Sequence, residues 1–121
     1  MNRFAAVGLF VEAAKGSRIL VLTSRRYEIA DALECFMRIE EVATWPGVRV
    51  RRTNGDERIE LGGRGRIAFH SVMSSLTGES ADIVYIDDEA DRRLDDAGRD
   101  QLYRALRAIT HGTPTAEVVR A

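Results

Sequence analysis

A chain of 121 residues has room for one domain with a real core and is too short for two. Its 45% hydrophobic and 31% charged residues are ordinary globular proportions and argue against disorder along the whole chain. A formal net charge of −1 gives no bulk electrostatic reason to bind nucleic acid or an acidic membrane.

In chain order, Phe4, Val7, Leu9, Phe10, Val11 and Ala14 recur at helical spacing, which predicts a helix over Arg3 to Ala14 capped by Gly16. Glu12 and Lys15 interrupt this stretch, so neither a membrane span nor a secretion signal is expected. Ile19 to Leu22 form an unbroken apolar run, as in a parallel strand covered on both faces. A helix should follow from a cap at Ser24, with Ile29, Leu33, Phe36, Met37 and Val42 on its apolar face, and end at Pro46–Gly47. Cys35 on that helix reads as an inert buried thiol of a reducing compartment.

The next stretch changes period. "VRVRRT" and "RIEL" alternate, "RIAFHS" runs back toward the core, and "NGDE" and "GGRG" supply turns, which predicts a small antiparallel or mixed β section. Met73 to Thr77 is a connector or short helix, Gly78 a turn, and Asp82 to Asp87 contain the next core strand. A polar helix with Leu102, Leu106 and Ile109 on its packing face is expected next, broken by "HGTPT" before a short β candidate, "AEVV". The sum is an α/β layered sheet with flanking helices and a β-hairpin insertion.

Two constellations carry candidate chemistry. Asp87, Asp88 and Glu89 end the second core strand, and three adjacent like charges are costly to bury. They are either a solvated strand end capping the following helix, or a group that holds a cation or polarises a water. Residues 47–66 hold six arginines (Arg49, Arg51, Arg52, Arg58, Arg64 and Arg66) against three acids, with glycines at 62, 63 and 65. These are either a phosphate-gripping hairpin or a solvated face with cross-strand Arg–Glu pairs, and no aromatic residue interleaves to stack bases. Arg25 and Arg26 form a smaller basic pair. Two histidines far apart in sequence make a zinc site improbable, and no serine stands in a nucleophile elbow.

"IVYIDDE" resembles the Walker B element of P-loop nucleotide triphosphatases, and "DEADRRLDD" resembles the DEAD-type helicase motif. The order helix, strand, helix, hairpin "VRVRRTNGDERIEL", strand "GRGRIAFHS" and Asp-Glu strand is similar to the ATPase half of phage large terminase subunits over Phe4 to Ala90. The resemblance implies a partial P-loop-NTPase-like fold, Asp88 with Asp87 in the magnesium-associated role, and Glu89 in the catalytic role. The helicase likeness implies nucleic-acid contact at Arg25 and Arg26, and Arg49, Arg51 and Arg52 are the hairpin candidates. No segment matches the glycine-rich phosphate loop of these families, and "GGRGR" lacks its lysine–hydroxyl pair.

The expectation is therefore a single truncated terminase-like domain, residues 1–121, without ATPase activity of its own. It would be a phage protein derived from a DNA-packaging ATPase that acts in protein binding or assembly, as a homo-oligomer or with a protein partner. One alternative is an ATPase subunit, using magnesium and ATP, completed by a phosphate loop from another chain. Another is an adaptor that binds nucleic acid weakly. No membrane association is expected, and the expected location is cytoplasmic, in an infected bacterial host if the gene is a phage's.

Overall fold

The computed structural model describes residues 1–76, 79–110 and 117–120. The first helix, α1 (Arg3–Ala14), starts at Asn2, whose side-chain oxygen accepts from the Ala5 N–H at 2.8 Å. It stops at Gly16, which takes φ +103° while its N–H donates to the Ala13 carbonyl. Strand β1 (Arg18–Thr23) follows and is buried from Ile19 onward. Next come α2 (Glu28–Met37), α3 (Glu40–Ala43), β2 (Arg49–Thr53), β3 (Asp56–Glu60) and β4 (Arg66–Ser71). The chain continues through β5 (Ile83–Ile86), α4 (Asp88–Arg93), α5 (Asp96–Ile109) and β6 (Glu117–Arg120).

The strands form one sheet in the order β2-β3-β4-β1-β5-β6. Strand β1 is parallel to both of its neighbours, β4 and β5, and β6 is parallel to β5. The hairpin β2–β3 joins antiparallel at the β4 edge. Because β1 is central, its residues alternate between two cores. Ile19 and Val21 pack with α1, α2 and α3, and Leu20 and Leu22 pack with Ala90 of α4 and Leu102, Leu106 and Ile109 of α5. That double burial explains the unbroken apolar run. The fold is mixed α/β, a central sheet flanked by helices. No helix among the described residues is long and apolar enough to cross a membrane.

Several expectations need correction. In α1 the buried face is Ala6, Leu9, Phe10 and Ala13, while Phe4 is 90% exposed and Val7 and Val11 are also exposed. The helix is apolar on nearly every side, so periodicity cannot choose its inner face. The single helix expected from Ser24 to Val42 is two, because Ile39 takes an extended backbone (φ −81°, ψ 116°) and turns its side chain into the core. Ser24 is not its cap: α2 is preceded by Tyr27, which makes no side-chain cap bond. The polar helix with Leu102, Leu106 and Ile109 on its packing face is found as α5, preceded by the short α4 and capped by Asp95 through the Gly98 N–H at 2.7 Å. The described part of the Met73 segment is a connector made of turns, as expected, and the expected features at residues 77, 78 and 111–115 lie outside the described residues.

Gly65 fixes the junction between α1 and the sheet. A Cβ there would stand 2.0 Å from the Ala13 carbonyl oxygen, so only glycine fits. Trp45 closes the other side, donating its indole N–H to the Leu61 carbonyl at 2.8 Å and meeting Phe10 edge to face.

Candidate functional site

The carboxyl end of β5 lies beside that of β1, and the Asp87 N–H continues the ladder by donating to the Leu22 carbonyl at 3.0 Å. Side chains alternate along the strand: Val84 and Ile86 face α5, and Tyr85 faces α1 and α2. Asp87 continues the alternation and lines the same cleft as Tyr85. There it meets Glu28, the first residue of α2, and Glu89 from the first turn of α4. One carboxylate oxygen from each of Glu28, Asp87 and Glu89 lies within 4.8 Å of the others.

The electrostatics follow from this convergence. Burial, then the charges of Glu89 and Asp87, push the Glu28 carboxyl above its ordinary range. Burial, then the charges of Asp87 and Asp88, raise the Tyr85 phenol, whose hydroxyl is buried without a hydrogen-bond partner among the described residues. The amino group of Met1 approaches Asp87 Oδ1 at 3.9 Å and offsets part of the charge. The cleft also contains Asp31 and Arg38, giving four carboxylates against one guanidinium. Such a group offers oxygen ligands suited to a hard divalent cation.

The triplet is therefore not one unit. Asp87 and Glu89 enter the cluster, while Asp88 points into solvent and pairs with Arg92 at 3.2 Å, one helical turn on. Glu28 was missed by sequence reasoning, since an acid in the first turn of a helix looks like ordinary dipole compensation. Nothing local distinguishes it.

The arginine candidates are also dispersed. Arg51 pairs with Asp56 at 2.7 Å, and Arg52 with Glu34 on α2. Arg26 bonds Asn54 and lies 3.7 Å from Glu57, pinning the hairpin turn to the start of α2. Arg25 stacks over the Tyr27 ring at 5.8 Å. Of the proposed set, Arg49 lines a cleft with Arg64 and Arg66 at the other end of the sheet. No protein-family model and no curated protein matches the chain.

Proposed function

We propose that the chain is a terminase-like, P-loop-NTPase-type module that acts by assembling with a second copy of itself and does not turn over nucleotide alone. The reading rests on an apolar stripe left open on α1, where Phe4, Val7 and Val11 follow one another at helical spacing on the solvent side. Nearby, β6 ends the sheet with Val118 and Val119 exposed, and its outer edge has no strand partner among the described residues. The flank of α1 reaches that edge, since Leu9 and Glu12 share a cleft with Glu117 and Val119.

Two-fold pairing covers both features at once, because the same stripe and edge are present on each copy. Hiding the two Phe4 rings contributes about 3–6 kcal/mol gross. The cost of association is of the same order, about 4–15 kcal/mol. The dimer is therefore concentration-dependent.

Sedimentation velocity across micromolar concentrations tests the reading. A species heavier than 13.5 kDa that reverts to monomer in Phe4→Ser/Val11→Ser is expected. A 13.5 kDa species alone at every concentration refutes it.

The grouping of Glu28, Asp87 and Glu89 supports a second reading, a magnesium-dependent ATPase subunit completed by a phosphate loop from another chain. Turnover of magnesium ATP that appears only on addition of a chain carrying a phosphate loop, and is lost in Glu89→Gln, would favour this reading over the assembly module.

A further inference from the structure

At the end of the sheet opposite the acidic cluster, four strand termini line up. The register places Arg18 of β1 beside Arg66 of β4, Arg66 beside Glu60 of β3, and Glu60 beside Arg49 of β2. Cross-strand partners project from one face, so these four side chains form a transverse row. It is the face on which Leu20 and Ala68 meet α5, but that core takes no residue from β2 or β3. The hairpin half of the face is therefore open to solvent. Arg58 stands on the same face, and the Gly62–Gly65 loop brings Arg64 to the rim.

The charges are not equally engaged. Arg18 is held by Asp82 at 3.1 Å, and Arg58 by Asp56 and by Glu79 at 3.7 Å. Arg66 is hydrogen-bonded to neutral groups: its Nη2 donates to the Ser80 carbonyl and hydroxyl, both at 3.2 Å, and its Nε is buried without a partner among the described residues. Its charge and that of Arg64 reach Glu79 and Asp82 only at longer range. No carboxylate lies within ion-pair distance of Arg49, Arg64 or Arg66 among the described residues, and Arg49 and Arg64 are exposed. Three guanidiniums thus share a cleft with one unpaired acid, Glu60.

We propose that this cleft binds a phosphate group, held by Arg49, Arg64 and Arg66. Guanidinium forks match the tetrahedral oxyanion, and several of them lining one cleft suit its charge better than they suit a single carboxylate. Gly62 and Gly63 take φ of +77° and +60°, and a loop without side chains at these positions lets a phosphate approach the backbone. No aromatic residue lines the cleft, so a nucleic acid held here is bound by its backbone without base readout. The site is at the opposite end of the sheet from the Asp87 cluster and stands or falls independently of the assembly reading.

The test uses a fluorescein-labelled DNA duplex in anisotropy titrations at 50 and 200 mM salt, and sodium pyrophosphate as competitor and as direct calorimetric titrant. With two to three phosphates neutralised, duplex binding should weaken about 10- to 40-fold between the two salt concentrations. Arg49→Ala/Arg64→Ala should lose at least about tenfold in affinity at 50 mM and flatten the salt slope by about two. Its thermal unfolding should be unchanged, since neither residue makes an ion pair. Arg52→Ala, on the other face, should bind as the wild type does.

Duplex binding with no pyrophosphate competition identifies a nucleic-acid backbone as the source of the phosphate. Pyrophosphate binding alone identifies a small phosphate compound. The proposal is overturned if neither binds at 50 mM salt, or if Arg49→Ala/Arg64→Ala binds both as the wild type does.

Discussion

Replacing Gly65 by alanine should be among the most damaging single-methyl additions available to this chain. The new Cβ would stand 2.0 Å from the Ala13 oxygen and 3.0 Å from its carbonyl carbon, both backbone atoms that no rotamer change can move. Relief requires α1 or β4 to shift, and the Ala13 oxygen already accepts from the Gly16 N–H at 2.9 Å. Overpacking strain of about 1–3 kcal/mol and a weakened hydrogen bond of about 1 kcal/mol give a loss of about 2–4 kcal/mol. At roughly 2.1 cal/mol/K per residue of unfolding entropy, that lowers the midpoint by about 8–16 °C. Gly63→Ala is the control: nothing lies within 4 Å of its Cβ position, so only the left-handed backbone (φ +60°) opposes it, at about 1–2 kcal/mol. Urea unfolding followed by circular dichroism measures both. A Gly65→Ala variant within 0.5 kcal/mol of wild type (the ordinary range for surface changes, about ±0.5), or one more stable than Gly63→Ala, would refute the close approach.

Glu28→Gln should stabilise the protein at neutral pH. The folded carboxyl holds its proton to higher pH than the unfolded one, so the native state loses stability as pH rises from 4.5 through the raised value, and the advantage of the variant should vanish below pH 4.5 in thermal melts. Asp82→Asn should act oppositely. The Arg18 hydrogen bonds hold the Asp82 carboxyl below 3.8, so its contribution is present above that pH and lost as pH falls through the folded value. Urea midpoints at pH 7 and pH 3 should show the Asp82→Asn deficit shrinking on acidification. Trp45→Phe should cost about 1 kcal/mol through the Leu61 carbonyl it leaves unpaired, read from the same urea curves.

The parts of the fold legible in the sequence are those where local pattern and burial agree. The run Ile19–Leu22 reads as a doubly covered strand because both of its faces are core. Asn54–Gly55 marks its hairpin because Gly55 takes φ +89°. The boundaries that escaped it depend on contacts distant in sequence. Ile39 leaves helical geometry to reach a core assembled with α1 and the sheet, and no glycine or proline announces the break. The open face of α1 was hidden for a different reason: a helix apolar all round carries no directional signal. Its inner face is set by what surrounds it.

The candidate site shows the same division at finer scale. Three consecutive acids announce that something charged happens at the end of β5, but not which of them point together. That depends on where the strand stops. Because Asp87 still donates to Leu22, it keeps the strand's alternation and faces the side of Tyr85 and Glu28. Asp88 begins the helix and is carried outward to Arg92, and Glu89 returns with the helical turn. Were the ladder one residue longer, Asp88 would take the next strand position and face the opposite core, since side chains alternate with period two. The Walker B likeness names Asp88 on the strength of its neighbour Glu89 in sequence, whereas the cleft is built by Asp87. Asp88→Asn should therefore leave the elevated Glu28 carboxyl where it is to within the reach of a solvent-screened charge, and Asp87→Asn should lower it. Carboxyl titration by NMR separates the two, and equal shifts in both variants would place the strand end one residue away from where the hydrogen bond to Leu22 puts it.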